Sequence, residues 1–411
     1  MLAFTFPGQG SQRPGMGRAW VDHPSWEVVE EASAVAGRDL GRLLLDAEKD
    51  ELTLTANAQL STFVLSLVVL DAIERVGVEP RACAGHSLGE YTALAASGAL
   101  GFEDGVRLVA ERGEAMHHAA QDNPGTMAAV LGADDDAVEA ACQRAEGDVW
   151  VANYNAPGQV AIAGNADAVA VAGTIAKELG AKKVVPLQVE GAFHTALMGP
   201  ARSWLRKALS QTEFSAPEIP VVANVDARQH GSAEEWPSLL SAQLCSPVRW
   251  RQSLDTLLAL GATRFVEVGP GGVLAGLARR SAPEAASMSV SSPDDLDTLV
   301  DAVSDSETWH AYAAAHQGEH LYTSERVVVS PAPGVFEPAP GLEAPGPGQG
   351  GPGAAGALQV AVAVAVGDLL GTVGAAEVRT PFAGEVVGFL AHSGERVVAG
   401  QPVAWLRIHA G

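Results

Sequence analysis

The chain has 411 residues, 47% hydrophobic and 18% charged, a length for two or three domains with buried cores. Its formal net charge of −23 argues against a nucleic-acid partner, and against an anionic membrane surface as partner of the chain as a whole. The 3 cysteines (Cys83, Cys142, Cys245) form no CxxC pair, which argues against a disulfide framework or a cysteine zinc site and for a reducing cytoplasm.

Met1–Pro7 has no basic-then-apolar leader. The most lipid-like stretches, Phe63–Leu70 and Leu358–Val366, fall short of the roughly 20 apolar residues a bilayer span needs, so a soluble protein is expected. From Met1 to about His117 short apolar runs alternate with helical stretches, as in an α/β layer. Leu2–Phe6 reads as a buried strand ending in Pro7-Gly8-Gln9-Gly10, Thr62–Val76 as a buried helix, and Arg81–Ala84 as a short strand of small residues. Between Gly125 and Val189 the rhythm becomes β-α-β-β-α-β: Met127–Leu131, a helix capped by Asp134 or Asp135, Val149–Asn153, Gln159–Ala163, Asp167–Leu179 and Lys183–Val189. That order predicts a ferredoxin-like subdomain inserted into the larger domain. Val221–Asn224, a helix near Ser253–Leu260 and the strand Arg264–Val268 return to the α/β rhythm, and a long helix over Pro293–His316 closes it.

Beyond Gly318 the composition changes. Pro331–Gly356, dominated by Pro and Gly, reads as a linker or flexible loop. A weak repeat flanks it: Ser330–Gly334 echoes Thr380–Gly384, and Val364–Asp368 echoes Val397–Gln401, as two β halves of one small sandwich would.

Gly85-His86-Ser87-Leu88-Gly89 fits G-x-S-x-G between a small-residue strand and a helix start. The glycines let the backbone fold tightly so that the serine oxygen stands exposed, and the helix N-terminus offers N–H groups to a developing oxyanion. The competing reading is a purely structural turn. A serine nucleophile needs a base, and local sequence cannot choose one among 11 histidines. His86 should point away into the scaffold. His117 and His118, adjacent on a helix, cannot share a face to hold a metal. Gly269-Pro270-Gly271-Gly272 lacks the Lys-Ser/Thr of a phosphate loop and reads as a turn into a helix over Val273–Arg280.

Phe6-Pro7-Gly8-Gln9-Gly10-Ser11-Gln12, Gly85–Tyr91, Gly191-Ala192-Phe193-His194 and Glu267-Val268-Gly269-Pro270-Gly271 together resemble the malonyl-CoA:acyl-carrier-protein transacylases, including polyketide-synthase acyltransferases, over roughly residues 1–315. The resemblance implies an α/β-hydrolase-like core over 1–123 and 191–318, with the ferredoxin-like subdomain over 124–190. It implies Ser87 as nucleophile, His194 as general base and acid, backbone N–H groups of Gln9 and Leu88 as oxyanion hole, and Arg112 as clamp for the malonyl carboxylate. From the residues alone, Arg112 reads as a surface helix charge paired with Glu111 or Glu114. The family orients its histidine with a main-chain carbonyl, which matches Gln243, so the Gln243 side chain is expected to matter little. Phe193, just before the histidine, is expected to narrow the acyl pocket. Asn155 and Gln159 are expected near the pantetheine or the carrier.

The expected partners are malonyl-CoA and an acyl carrier protein. The carrier is acidic and would need a local basic area, for which Lys177, Lys182, Lys183, Arg202, Arg206 and Lys207 are candidates against the plainer reading of a solvated helix face. The segment 319–411 resembles a biotinyl/lipoyl domain, an all-β sandwich whose family carries its cofactor on a hairpin-tip lysine. The matching hairpin here, Gly374-Ala375-Ala376-Glu377, has none, and Lys207 is the last lysine in the chain. A degenerate module without biotin or lipoate is therefore expected, and no bound cofactor or metal. Two alternatives remain: an editing acyl-carrier-protein thioesterase with water as acceptor, and a catalytically idle scaffold.

Overall fold

Five residues, Leu2–Phe6, form β1, buried from Ala3 onward because parallel neighbours flank it on both sides. The computed structural model describes residues 1–304, 324–340, 342, 357–381, 383–391 and 393–408. Its contacts divide the chain into two units, Met1–Ser306 and Glu307–Gly411. In the first, helices α1 (Glu27–Ala36), α2 (Leu40–Leu45) and α3 (Lys49–Thr53), none of them expected from the sequence, lead into α4 (Thr55–Arg75). α4 begins seven residues before the expected start because Asn57, Gln59 and Ser61, which look like a polar boundary, are buried along with its apolar residues. At 21 residues it is long and apolar enough to cross a membrane by length and composition, and 89% of its apolar window is packed inside the protein.

β2 (Ala82–Gly85) follows, then α5 (Gly89–Ala96) and α6 (Phe102–Asp122). The small subdomain runs β3 (Thr126–Leu131), α7 (Asp135–Arg144), β4 (Val149–Ala156), β5 (Gln159–Gly164), α8 (Ala166–Glu178), β6 (Lys183–Pro186). Asp134 caps α7, its side chain accepting from Ala137 N at 2.8 Å. These strands form an antiparallel sheet in the order β4-β5-β3-β6. Val130, Val160 and Ile162 join the core beneath α7 and α8, while Met127, Ala129 and Ala161, one residue out of phase, line the cavity described below. In β4 a register shift between Val151 and Asn153 changes the face: Val149 and Val151 join that core, but Asn153 and Asn155 turn to the cavity.

The chain then returns through α9 (Gly199–Leu209), β7 (Val221–Val222), β8 (Gln229–His230), α10 (Trp236–Gln243), α11 (Trp250–Ala259), β9 (Arg264–Val268), α12 (Val273–Ser281), β10 (Ala286–Val290) and α13 (Asp294–Ser304). The main sheet has the order β10-β9-β1-β2-β7-β8, parallel except for β7–β8. The result is a mixed α/β fold. The expected end of the last helix at His316 and the boundary at Gly318 lie outside the described residues.

The second unit is built from β11 (Ser324–Val329), β12 (Gly334–Pro338), β13 (Ala357–Val364), β14 (Leu369–Val373), β15 (Ala376–Arg379), β16 (Gly384–Phe389), β17 (Arg396–Val397) and β18 (Pro402–Ile408). They make two antiparallel four-stranded sheets, β11-β18-β16-β13 and β15-β14-β12-β17. Of the expected linker over Pro331–Gly356, positions 341 and 343–356 lie outside the described residues, and the rest is corrected: Gly334–Pro338 is a strand, and Phe336 and Leu342 are buried in the unit's core among Val373, Val378 and Val403. Phe336 and Leu342, set among prolines and glycines, supply the apolar surface that anchors this described part. The echoed segments bond crosswise. Gly400 N–H donates to Ser330 O at 2.8 Å and Gly367 N–H to Thr380 O at 2.7 Å, while Ser330 N–H donates to Gln401 O and Thr380 N–H to Asp368 O.

Candidate active site

Ser87 stands where β2 passes into α5, at the carboxyl end of a parallel strand, where open α/β sheets place their sites. Its φ is +53°, a strained value for a residue with a side chain. The turn holds because its neighbours are glycines: a Cβ on Gly85 would lie 1.8 Å from the Gly89 backbone, and one on Gly89 2.0 Å from Phe6 O. Asn224, just past β7, braces the bend on both sides, accepting from Ser87 N at 2.7 Å and donating through Nδ2 to Gly85 O at 2.7 Å.

His194 Nε2 is 2.8 Å from Ser87 Oγ, and His194 Nδ1 is 2.9 Å from Gln243 O. Donation from Nδ1–H to that carbonyl leaves Nε2 with its lone pair toward the serine. Burial and the nearby Arg112 charge lower the His194 pKa to about 3, so the resting imidazole is neutral. His194 too has a positive φ, +61°.

Arg112 is fully buried on α6, so its reading as a surface charge paired with Glu111 or Glu114 is corrected. The helix turns it inward: Nη1 donates to Gln59 Oε1 at 2.5 Å, Nη2 to Gln243 Oε1 at 2.9 Å and to Ser87 Oγ at 3.1 Å. Its guanidinium lies 5.2 Å from the centre of the Tyr91 ring. The expectation that the Gln243 side chain matters little is corrected as well. Besides meeting Arg112, its Nε2 donates to Ser87 O at 2.8 Å and to Glu90 Oε2. Burial raises the Glu90 pKa to about 7, against the opposing pull of Asn224 N–H, Gln243 and Arg112.

A cavity of about 490 Å³ opens between the main sheet and the small subdomain. Gln9, Ser87, Phe193 and His194 line it, with Asn155 and Gln159 across from them. Leu88 is buried, and its N–H sits at the first turn of α5, where no carbonyl a turn earlier can accept from it. His86, expected to point into the scaffold, borders the cavity instead, its ring 5.6 Å from that of Trp250 and its Nε2 2.9 Å from Asn155 Oδ1. His118 stacks on Trp204 at 14° between planes while His117 meets Glu190, and the two histidine rings touch edge-on at 5.8 Å, each with a partner other than a metal. No group of residues able to hold a metal occurs among the described residues. The Gly269–Gly272 turn is filled from within, since the Glu267 carboxylate accepts from Gly272 N and Ala275 N at the start of α12, where a phosphate would sit.

None of the six basic candidates lines the cavity; Lys49 does. Arg202 and Arg206 are drawn to Ser241 Oγ, and Lys207 borders a separate cavity beside Trp204. Lys49 escaped notice because it lies in the run Glu48-Lys49-Asp50-Glu51, which resembles a solvated face. Asn224, Gln59 and Glu90 were missed too. Of these only Glu90 carried a signal, as the residue directly after the G-x-S-x-G turn.

The acyl transferase domain family matches residues 3–293. The malonyl CoA-acyl carrier protein transacylase of Bacillus subtilis (strain 168) is 40% identical over 304 residues, 73% of this chain and 96% of that protein. The chain belongs to this family. The transacylase of Escherichia coli (strain K12) is 42% identical over 286 residues, 68% of this chain and 92% of its own. Among solved structures, a malonyl-transacylase in complex with a type II polyketide-synthase acyl-carrier protein is similar at 37% identity and a TM-score of 0.71, covering 73% of this chain and 99% of that one. The family match ends at residue 293, so the C-terminal β unit lies beyond it.

Proposed function

We propose that this chain moves malonyl from malonyl-CoA to the phosphopantetheine thiol of an acyl carrier protein, in fatty-acid or polyketide synthesis, through an ester on Ser87. Ser87 Oγ gives its proton to His194 Nε2 and attacks the thioester carbonyl. The developing oxyanion is met by the Gln9 and Leu88 N–H groups, each worth about 10²–10³ in rate. The C–S bond breaks and the CoA sulfur takes the proton back from His194, whose burial disfavours the imidazolium. The carrier thiol then repeats these steps in reverse order, and Ser87 recovers its proton.

The observation that carries this reading is Arg112, a buried guanidinium 3.1 Å from Ser87 Oγ. A free carboxylate on the acyl group can accept two charge-assisted bonds from this guanidinium, whose Nε has no hydrogen-bond partner among the described residues. An editing thioesterase for neutral acyl chains has no use for that cation, which disfavours the hydrolytic alternative. The core is read as α/β-hydrolase-like. The C-terminal unit is read as a sandwich of the biotinyl/lipoyl kind, its crosswise bonds supporting two equivalent halves, and without a lysine it carries no biotin or lipoate. The three free cysteines support work in a reducing cytoplasm, and the transfer needs no resident cofactor.

The test is to incubate the purified chain with malonyl-CoA and read its intact mass. A malonyl adduct that Ser87→Ala abolishes, and that a carrier thiol removes faster than water does, supports the reading. An adduct retained in Ser87→Ala refutes the nucleophile, and discharge to water alone refutes transfer.

A further inference from the structure

We infer that Glu90 is a positioning residue for malonyl transfer: its carboxylate fixes which way the Gln243 amide faces, and through that amide it holds Arg112 against Ser87. This role rests on malonyl transfer being the reaction. The two ends of a glutamine amide have the same shape and opposite hydrogen-bonding polarity. Three buried partners surround the Gln243 amide. Ser87 O and the Glu90 carboxylate only accept, and Arg112 only donates. One orientation satisfies all three: Nε2 toward Ser87 O at 2.8 Å and Glu90 Oε2, Oε1 toward Arg112 Nη2 at 2.9 Å.

Glu90 is itself held in place. It is fully buried on α5, one turn after the nucleophile, and its Oε1 accepts from Asn224 N at 3.0 Å. The charged and titratable groups acting on it are Arg112 from α6, Asp226 from the loop after β7, and Tyr91 beside it on α5. Arg112 is the cation among them. Glu90 is thus the acceptor that orients Gln243, and it reaches the arginine through that amide.

Glu90→Gln keeps the shape and adds a donor. The new NH₂ must face either Asn224 N–H or Gln243 Nε2. In the first case it leaves a buried donor unpaired beside the nucleophile's brace. In the second it turns the Gln243 amide over, setting NH₂ against Arg112. Glu90→Gln with Gln243→Glu restores the polarity: Asn224 N–H meets the new amide oxygen, the new NH₂ meets the new carboxylate, and that carboxylate accepts from Arg112. Ser87 O loses its donor and faces a carboxylate oxygen instead, so the restoration is partial.

The experiment loads the full chain from equimolar malonyl-CoA and acetyl-CoA, reads the ratio of adducts by intact mass, and follows thermal unfolding of each variant. Glu90→Gln is expected to lower the malonyl-over-acetyl ratio about tenfold or more, and the double variant to recover part of it. An unchanged ratio in folded Glu90→Gln, or a folded double variant no better than the single, overturns the role. If Glu90→Gln does not fold, Gln243→Met, which keeps the carbonyl for His194 and removes the amide, must show the same selective loss; equal loss of both acyl groups overturns it. Failure of the unaltered chain to load malonyl defeats the transferase reading itself, a result distinct from either.

Discussion

Arg112→Ala separates binding the substrate from holding the site together. With malonyl bound, the guanidinium gives two charge-assisted hydrogen bonds of about 1.5–3 kcal/mol each. Their loss is about 3–6 kcal/mol, or about 10²–10⁴ in malonyl kcat/KM at about 1.4 kcal/mol per tenfold. The same change leaves Gln59 Oε1 and Gln243 Oε1 without their donor and Glu90 without its buried counter-charge. Leaving these two buried acceptors unpaired costs about 1–3 kcal/mol of fold stability each. That penalty falls alike on every substrate, so it cancels in a competition. Equimolar malonyl-CoA and acetyl-CoA, a single turnover and the masses of the two acyl-enzymes give the ratio directly. It should fall by about 10²–10⁴, with acetyl loading reduced far less. Arg112→Lys should recover part of it, since an ammonium offers a point charge without the planar fork. An equal loss of malonyl and acetyl loading in folded Arg112→Ala refutes the carboxylate clamp.

Acetyl loading, which has no use for Arg112, should stay level well below pH 6.5, because the fold lowers the His194 pKa to about 3; a stopped-flow profile falling near pH 6.5 contradicts this. The malonyl preference should fall as the pH drops through about 7, where Glu90 takes up a proton and loses its grip on Gln243. For stability the two groups oppose: between their ordinary and shifted values the unfolded chain binds the proton that native His194 refuses, and releases the one native Glu90 keeps. Below about 4.5 only the His194 contribution remains, so denaturant melts should show stability declining on further acidification. Phe193→Ala should widen the acyl pocket and raise methylmalonyl against malonyl loading by about tenfold, from about 1–3 kcal/mol per methylene; an unchanged ratio removes Phe193 from selectivity. Gly85→Ala must push a Cβ into the Gly89 backbone 1.8 Å away and should lower Tm while reducing acylation, and an unaltered melt contradicts the tight turn.

The parts of this molecule legible in its sequence are those encoded within a few residues. β1 and β9 end where expected because each apolar run stops at a proline or glycine turn. The bend at Ser87 is readable because close backbone approach requires glycine on both sides of it. His194 became identifiable only from its place among several motifs, since nothing within its own segment distinguishes it from ten other histidines. Arg112 misled because its sequence neighbours Glu111 and Glu114 offered ready partners. The helix aims it the other way, toward Gln59, Ser87 and Gln243, which are 53, 25 and 131 residues away.

The face change in β4 and the burial of Asn57, Gln59 and Ser61 in α4 are likewise tertiary effects. In both, polar residues that look like boundaries or solvent-facing positions are buried, and Asn57, Gln59 and Asn155 meet partners from other elements while Ser61 bonds back to Ala58 O of its own helix. Asn57, for example, donates to Glu51 O, and Asn155 meets His86. Glu90 is the sharpest instance. By composition a glutamate in the first turn of a helix is an exposed residue that complements the helix dipole. Here a backbone N–H and an amide both require an acceptor at one point near a buried arginine, and a carboxylate can serve both at once. Local pattern therefore finds the reacting atoms, while the groups that hold them in register become readable only once donors and acceptors from different segments are matched in space.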